Sequence, residues 1–510
     1  MERMQVTSMS RRLMRFVLVC ALGSTAISAG AQPPPVRQAA PAPTATQPQP
    51  STPPWQAATW WPDRVVVTIE QDPTTSFSVS WRTRAEVGET RAEVVRAGDH
   101  SRFDIGAVAL PARTQRPDLN TKHVDGEAYV LRWNADLDPP AYHSVTFTDL
   151  EPDTLYAYRV MGAENHWSEW HQTRTAPLAG TPFRFLYFGD AQDGLSSHWA
   201  RVVRAAYAAA PDARFAIHAG DLVNIASRDF EWAAWFKSVG FIHGMIPALP
   251  LVGNHEYFDG IRSDGGASVN ALSVLWRPQF ALPQVDTLPA VLRETVYTVR
   301  YADVDIVALD TMGGHFDAQA VWLDQVLGAS DAAWKIVTLH HPLFEAVERP
   351  YEDGAQARRD AFLPVLERHG VDLVLQGHDH SYARGSALGS PRTPRAGRRG
   401  ALGTVFVTSS SGAKMYGLGD TGWQAFAEYG AVLERVAENT PFFQVISVDG
   451  DMLSYVARTA TGRRYDAFRL RKTRGRNRIE PLPIDFDVER HFDNTGAYED
   501  ARLDIVPPLP

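Results

Sequence analysis

Five short apolar segments between about Phe183 and Arg471 each run directly into aspartate, asparagine or histidine. They are "FRFLYF" before Gly189-Asp190, "ARFAIHA" before Gly220-Asp221, "ALPLV" before Gly253-Asn254-His255-Glu256, "WKIVTL" before His340-His341, and "VDLVLQ" before Gly377-His378-Asp379-His380. Between them lie amphipathic segments with apolar residues at helical spacing, Ser197 to Ala210, Asp229 to Phe241, Ala318 to Leu327 and Ala355 to His369. This alternation of strands and helices predicts an α/β layer structure.

The polar residues that follow these strands should meet at one edge of the sheet, because ligand sites in open α/β sheets lie beyond the carboxyl ends of the strands. The glycines before most of them let the backbone turn sharply and approach an ion closely. Taken singly, such an Asp or Asn is usually a turn former or helix cap, and such a His is ordinary surface or core. Two aspartates, one asparagine and three histidines in strand-end register favour two divalent or mixed-valence ions bridged by one carboxylate.

A different pattern occupies residues 60–175, where short alternating strands such as "RVVVTIE", "SFSVSWRT" and "LYAYRVMG" are separated by turn-rich pieces. Period-two alternation over little more than one hundred residues predicts a β-sandwich. The segments "LEPDTLYAYRV" and "SVSWRT" resemble a fibronectin type III module, with a candidate tyrosine corner at Tyr156 or Tyr158. Sandwiches of this kind are mostly scaffolds, and substrate binding is the alternative role.

The five polar motifs, in their order along the chain, resemble those of the calcineurin-like metallophosphoesterases. The purple acid phosphatase branch is the most similar, because Gln192 stands where most relatives have a metal-binding histidine and a fibronectin-like module comes first. The resemblance implies an α/β (α+β) metallophosphoesterase fold, with two mixed β-sheets sandwiched by helices. An all-β fibronectin type III-like sandwich would precede it.

The N-terminus is typical of an export signal: Arg11, Arg12 and Arg15 precede the apolar stretch 16–22, and the small-x-small sequence 29–31 follows. A secreted or periplasmic location is therefore expected, and no later apolar run is long enough to span a bilayer. The predicted organisation is a signal peptide at residues 1–31 and a Pro-rich linker at 32–56. A fibronectin type III-like β-sandwich follows at 57–178, then a metallophosphoesterase catalytic domain at 181–475 and a C-terminal tail at 476–510.

Metal-binding roles follow from the resemblance, motif by motif. Asp190 and His380 would bind a first ion, and Asp221 would bridge the two ions. The second ion would be bound by Asn254, His340 and His378. Iron, manganese and zinc all suit these oxygen and nitrogen donors, so the identity of the two metal ions stays open.

His255 is the predicted catalytic side chain. The resemblance implies that it points back into the site, where it can donate a proton to the leaving alkoxide or stabilise the phosphoryl transition state. The alternative is a residue that merely orients the metal ligands.

The chain departs from the family pattern at Asn224. Purple acid phosphatases carry a tyrosine three residues after the bridging aspartate, and its bond to ferric iron gives their colour. Because this chain has Asn224 there, we predict a colourless enzyme that uses divalent ions. Gln192 and Asn224 either approach the first ion through a side-chain oxygen or support the ligands from outside.

Further polar residues adjoin the metal motifs. Candidates for contact with phosphate or the leaving group are Tyr257, His341, Tyr382 and Arg384. The guanidinium of Arg384 would fit phosphate oxygens well. The alternative for Arg384 is solvation or ion pairing at the surface. His341 either joins them or packs under Pro342. Asp310 ends another apolar strand, "VALD", and is expected to support the site through hydrogen bonds.

These observations predict an exported, dinuclear metal-dependent phosphoesterase. An acid phosphatase that hydrolyses phosphate monoesters by attack of a metal-bound hydroxide is the first interpretation, and a phosphodiesterase acting on nucleotides or other small diesters is the second. A noncatalytic envelope-binding protein is a third. The net charge of −9 argues against nucleic acid as the main partner and favours a small phosphorylated substrate. The oligomeric state is left open.

Overall fold

The computed structural model describes residues 55–347, 354–388, 402–473 and 476–491, apart from residues 132 and 136. The predicted signal peptide, nearly all of the predicted linker and the end of the predicted tail lie outside these residues, so those assignments stay predictions. The described residues all belong to one compact unit. Among them, none of the helices has the length and apolar character needed to cross a membrane.

Eight of the strands before residue 175 build the predicted β-sandwich, and the described residues before residue 175 form ten short strands in all. They are β1 (Asp63–Thr68), β2 (Phe77–Arg84), β3 (Arg91–Arg96), β4 (Val108–Pro111), β5 (Arg113–Gln115), β6 (Thr121–Val124), β7 (Glu127–Val130), β8 (Pro140–Phe147), β9 (Leu155–Val160) and β10 (His171–Arg174). One face has the order β1-β2-β8-β5 and the other has the order β10-β9-β3-β4. Alternate residues of both faces point inwards, so that Val79, Trp81 and Tyr158 pack in one apolar core.

The two tyrosines proposed for a tyrosine corner have different partners. The Tyr156 hydroxyl accepts the backbone N–H of Glu151 at 2.9 Å, as expected of a tyrosine corner. Tyr158 donates instead to the carbonyl of Gly244 at 2.7 Å, which lies in the following domain. Tyr158 therefore joins the sandwich to the rest of the structure.

Fourteen of the strands that follow form two mixed sheets, and the described residues after residue 175 form sixteen strands in all. They are β11 (Phe183–Phe188), β12 (Ala216–His218), β13 (Ala248–Pro250), β14 (Tyr257–Arg262), β15 (Ser268–Leu272), β16 (Tyr297–Tyr301), β17 (Val304–Leu309), β18 (Trp334–Leu339), β19 (Leu373–Gln376), β20 (Tyr382–Ala387), β21 (Thr404–Thr408), β22 (Val432–Ala437), β23 (Phe442–Asp449), β24 (Met452–Thr459), β25 (Arg464–Thr473) and β26 (Arg476–Pro481). One sheet contains β26-β25-β24-β23-β11-β12-β13, and the other has the order β16-β17-β18-β19-β21-β20-β22. Strands β11 to β13 run parallel, as do β17, β18, β19 and β21, whereas the flanking strands are antiparallel. The predicted pair of mixed sheets is confirmed.

Helices cover these sheets, and all but the short one at residues 276–279 lie where helical spacing predicts them. They are α1 (Ala200–Ala209), α2 (Asp229–Val239), α3 (Trp276–Gln279), α4 (Phe316–Ala329) and α5 (Ala355–His369). Helix α2 is buried along most of its length, because it lies among the aromatic side chains of the main core. It also sits close to the sandwich, since its first residue is bonded to side chains of β1 and β2.

Three features link regions that the sequence treats as separate. Strand β1 pairs in parallel with β13 at Thr68 and Ala248, so one face of the sandwich continues the first sheet of the catalytic domain. Residues 476–481, which the sequence assigns to the tail, form β26 and pair with β25. A further small sheet joins the hairpin β6-β7 to the hairpin β14-β15, which begins directly after the motif at residues 253–256.

Candidate metal centre

The strand-end residues predicted as metal ligands converge on one place. Asp190 follows β11, Asp221 follows β12, His340 follows β18, and His378 and His380 follow β19. They form two clusters, Asp190-Asp221-His380 and Asp221-His340-His378, in each of which the potential ligand atoms lie within 4.8 Å of one another. Asp221 belongs to both clusters, and all five residues are buried.

In the first cluster, a carboxylate oxygen of Asp190 faces a ring nitrogen of His380, and both atoms can accept a hydrogen bond or bind a cation. Asp190 Oδ2 lies 3.2 Å from His380 Nε2. The other oxygen of Asp190 accepts the backbone N–H of His378 at 2.6 Å, whereas Oδ2 is buried and has no hydrogen-bond partner. A buried carboxylate oxygen without a donor is costly unless a cation compensates it.

The second cluster is completed by Asn254. Its side-chain oxygen lies 3.1 Å from His340 Nε2 and 2.9 Å from His378 Nδ1. His340 Nε2 also lies 3.3 Å from Asp221 Oδ2. The amide oxygen, two imidazole nitrogens and one carboxylate oxygen therefore lie close together, and their joint binding of an ion stays a prediction.

Backbone carbonyls orient two of the imidazole rings. The Nδ1 atom of His340 lies 2.8 Å from the carbonyl of Ala219, and the Nδ1 atom of His380 lies 2.8 Å from the carbonyl of Lys414. A carbonyl only accepts, so each Nδ1 carries the proton. Each Nε2 then presents a lone pair to the cluster, which is the usual arrangement of metal-binding histidines.

The backbone around the clusters is strained and tightly packed. Asp221, His378 and His380 have positive φ angles of 52°, 74° and 48°, a region that non-glycine residues uncommonly occupy. A Cβ at Gly377 would lie 2.4 Å from Asp190 Oδ1, and one at Gly253 would lie 2.2 Å from Asp221 Oδ1. These glycines allow the backbone to pass directly beside the carboxylates.

The electrostatics of the clusters also favour bound cations. Burial, together with the neighbouring carboxylate of Asp221, raises the pKa of Asp190 to about 7. Against the effect of burial, Asp221 and Asp190 raise the pKa of His340 to about 9. In the absence of ions, the carboxylates would therefore be compensated by a proton on His340. Divalent cations can take over that compensation, so the donor set fits a metal centre.

His255 lies at the edge of the clusters and is partly accessible. Its backbone N–H donates to Asp221 Oδ1 at 2.9 Å, and its side-chain Nδ1 lies 2.6 Å from the carbonyl of Asn224. The other ring nitrogen, Nε2, lies 3.9 Å from Asp221 Oδ2, and 24% of the side chain is exposed. The imidazole therefore faces the shared carboxylate and can still be reached from outside.

Gln192 and Asn224 contact the site in different ways. The side-chain nitrogen of Gln192 lies 2.9 Å from both Asp221 Oδ2 and His380 Nε2, and its side-chain oxygen is buried without a partner. Because the two ends of an amide are assigned from hydrogen bonding, the opposite orientation would turn an oxygen towards the first cluster. Asn224 contacts His255 through its backbone carbonyl.

Three further predicted residues line the neighbourhood of the second cluster. The ring of His341 packs 4.2 Å from the ring of His378, and its Nδ1 lies 2.7 Å from the hydroxyl of Thr311. Tyr257 donates to Asp310 Oδ2 at 2.7 Å. The other oxygen of Asp310 accepts two backbone N–H groups of the turn that follows it. Asp310 thus stabilises this turn by hydrogen bonds.

The structure does not bring Tyr382 and Arg384 into the clusters. Both side chains bond to the buried carboxylate of Asp466. The hydroxyl of Tyr382 lies 2.8 Å from Oδ2 of Asp466, and Nη2 of Arg384 lies 3.2 Å from Oδ1. Arg384 also pairs with Glu434. The sequence pattern suggested a phosphate contact for Arg384, but its guanidinium is occupied by two carboxylates. The strand-end position alone did not reveal these partners.

Glu256 is a site residue that the sequence interpretation did not single out. Its fully buried carboxylate accepts the backbone N–H groups of Asp221, Leu222 and Gly253 at 2.8, 2.9 and 2.7 Å. Burial and the neighbouring charge of Asp221 raise its pKa to about 8, and the N–H groups of Gly253 and Asp221 oppose that rise. Glu256 therefore ties the loop of the shared carboxylate to the loop of Asn254. Its place inside the motif at residues 253–256 was the available signal.

Two mixed sheets with carboxylate, amide and imidazole groups at their strand ends define a calcineurin-like metallophosphoesterase fold. Residues 183–382 match the family model of calcineurin-like phosphoesterases, and residues 62–175 match the N-terminal domain of purple acid phosphatases. The chain therefore carries a calcineurin-like phosphoesterase domain, preceded by a domain similar to the N-terminal domain of purple acid phosphatases. The family resemblance seen in the motifs is confirmed.

Individual relatives are similar over part of their length. An uncharacterized protein of Mycobacterium tuberculosis is 27% identical over 366 residues, which cover 65% of this chain and 61% of that protein. Purple acid phosphatase 1 of Ipomoea batatas is 27% identical over 254 residues, which cover 48% of this chain and 51% of the relative. The structure of a purple acid phosphatase from yellow lupin (Lupinus luteus) seeds matches with a TM-score of 0.60 at 19% identity, over 80% of this chain and 74% of that one.

Proposed function

We propose that this protein is an exported, dinuclear metal-dependent phosphoesterase that acts as an acid phosphatase on phosphate monoesters. The observation that carries the proposal is the pair of buried clusters that share Asp221. A carboxylate common to two clusters is how proteins hold two ions close together for in-line displacement at phosphorus. The relative from Ipomoea batatas, which is a purple acid phosphatase, supports a monoester substrate.

The residues present can hold two ions. Asp190 and His380 would hold the first ion, and Asn254, His340 and His378 the second, with Asp221 between them. When bound, iron, manganese or zinc would lower the pKa of a coordinated water and neutralise charge on the phosphoryl group. Glu256 and the carbonyls of Ala219 and Lys414 keep these donors in place.

His255 is the side chain that would move a proton. Its Nδ1–H donates to the carbonyl of Asn224, so Nε2 is the nitrogen that is available to substrate. Nε2 lies on the side of the ring that faces Asp221, and the ring is partly exposed. A protonated Nε2 can therefore hydrogen-bond to a phosphoryl oxygen or give its proton to the leaving alkoxide.

The first test compares kcat/KM for 4-nitrophenyl phosphate and bis(4-nitrophenyl) phosphate, with protein reconstituted separately with manganese, zinc and iron. We expect a clear preference for the monoester. A preference for the diester would replace the proposal with a phosphodiesterase. Absence of metal-dependent turnover on both compounds would contradict enzymatic function and favour a binding protein. Recovery outside the cytoplasm of a chain that begins near Gln32 would support export.

Variants link turnover to the clusters. Asp221→Ala and His340→Ala should lose activity and bound metal, measured by elemental analysis, while their circular dichroism stays unchanged. His369→Ala is the matched control, because His369 bonds to Asp324 outside both clusters. Full activity in Asp221→Ala would refute the shared-carboxylate centre.

A further inference from the structure

A short loop connects the shared carboxylate to helix α2, and the far end of this loop is bonded to the β-sandwich. The loop begins at Asp221 and ends at Asp229, the first residue of α2. Arg64 of β1 donates through both terminal nitrogens to the carboxylate of Asp229, at 2.8 Å each. Arg82 of β2 lies 3.3 Å from the same carboxylate. These side chains are almost completely buried.

A third side chain from the sandwich holds the backbone of the same loop. The side-chain oxygen of Asn134 accepts the N–H of Asp229 at 2.9 Å, and its nitrogen donates to the carbonyl of Ser227 at 2.7 Å. Asn134 thus fixes residues on both sides of Arg228. Together with the arginines, it makes the end of the loop depend on the sandwich.

The middle of the loop holds His255. The carboxylate of Glu231, in the first turn of α2, accepts the N–H groups of Asn224 and Ile225 at 2.7 and 2.9 Å. The carbonyl of Asn224 then lies 2.6 Å from His255 Nδ1, and the N–H of Ala226 donates to the carbonyl of His255 at 3.2 Å. Both the ring and the backbone of His255 are therefore fixed by this loop.

We propose that the β-sandwich positions the imidazole of His255 for proton transfer, through the ion pairs of Arg64 and Arg82 with Asp229 and the loop that Asp229 anchors. The inference rests on the proposed function, because it assigns the sandwich a role in that same reaction. It makes Arg64, Arg82, Asn134 and Asp229 positioning residues.

The physical reason is that proton transfer depends on small displacements. A misplacement of about 1 Å at a reacting group can lower the rate by about 100-fold. Weakening the anchor at Asp229 would let the carbonyl of Asn224 move, and the ring of His255 with it. The metal ligands have further supports, since Glu256 holds the start of the loop at Asp221 and Leu222, and the carbonyls of Ala219 and Lys414 orient His340 and His380.

The experiment compares two substrates that differ in their need for a proton. Phenyl phosphate has a poor leaving group that requires protonation, whereas 2,4-dinitrophenyl phosphate has a good one that does not. The variants are Asp229→Asn and the milder Arg64→Lys, each alone and combined with His255→Ala. Tyr158→Phe is the matched control, because it removes another buried bond between the sandwich and the catalytic domain, at Gly244.

We expect Asp229→Asn to lower kcat on phenyl phosphate by about 10- to 100-fold, and kcat on the dinitrophenyl ester far less. Arg64→Lys should show the same selectivity to a smaller extent. Neither should lower kcat further when His255→Ala is already present, because groups acting through one another are not additive. Tyr158→Phe should leave the ratio of the two rates unchanged, and metal content should stay at the wild-type value.

Equal losses on both substrates, or an additional loss in the His255→Ala background, would overturn the inference and show general damage. A shifted ratio in Tyr158→Phe would also overturn it. Failure of the proposed function has a different signature, since the wild-type protein itself would then not turn over either phosphate ester.

Discussion

A buried histidine in the strand that leads to Asp221 should make the protein lose stability in acid. His218 ends β12 and packs between Phe188, Trp199 and Trp235, with ring centroids 5.4, 6.0 and 5.5 Å away. Burial lowers its pKa from 6.5 to about 3. The unfolded chain therefore takes up a proton below about pH 6.5 that the native state does not take up until about pH 3.

The magnitude follows from this difference. Because the native imidazole stays neutral at pH 5, protonation of the unfolded chain lowers the free energy of unfolding by about 2 kcal/mol relative to pH 7.5. The stabilising contribution of neutral His218 is complete above the unfolded-state pKa and is lost as the pH falls. His218→Phe keeps a flat ring beside Phe188 and removes the titration, so its stability should fall by about 2 kcal/mol less over the same range.

Urea unfolding at pH 7.5 and pH 5.0, followed by tryptophan fluorescence, measures this directly, since Trp199 and Trp235 pack on His218. Phe188→Leu is the control: it removes a stacking partner without removing a titrating group, so its loss of stability should be the same at both pH values. If His218→Phe loses as much stability between the two pH values as the wild-type protein, the reasoning from burial is refuted.

Three other changes test the site and its surroundings. Glu256→Gln should weaken metal binding by about 10- to 100-fold, because the glutamine amide cannot accept all three backbone N–H groups that Glu256 accepts. Competition with a chelator measures the metal affinity, and a wild-type affinity would contradict the role of Glu256. Arg384→Leu should lower the free energy of unfolding by about 3–5 kcal/mol, because the buried charge of Asp466 loses its arginine partner. If the variant keeps its stability and its KM for phosphate esters rises, Arg384 contacts the substrate instead. Iron-loaded protein should show no strong visible charge-transfer band, because Asn224 replaces the tyrosine expected there, and a purple sample would disprove this.

The clustering of the candidate ligands could be predicted from the sequence because its signal is local. Every candidate except His380 directly follows an apolar strand or a glycine, and parallel strands of one sheet present their carboxyl ends to the same edge. His340 and the pair His378 and His380 therefore had to lie near each other once β18 and β19 were recognised as neighbours. The helices were predictable for a similar reason, since their apolar spacing is visible within a dozen residues.

The supporting contacts could not be predicted in the same way. Arg384 has the position of a phosphate contact in the sequence, but Asp466, which binds its guanidinium, lies 82 residues away on β25. Glu256 is adjacent to the motif, yet its role depends on the N–H groups of Asp221 and Leu222, which lie 35 and 34 residues earlier. Local patterns do not reveal which distant groups share a buried space.

The two domains show the same difference between features that short segments of sequence predict and features that packing decides. The sequence alone identifies a β-sandwich, an α/β domain and the residue types of a metal centre, because strand and helix periodicity and strand-end chemistry are properties of short segments; the two sheets of the α/β domain were implied only by the family resemblance. The pairing of β1 with β13 and the bonds of Arg64 to Asp229, which is 165 residues away, arise only when the sheets and helices pack together. Packing decides which buried charge meets which, since each charge must find a partner wherever the fold brings one within reach.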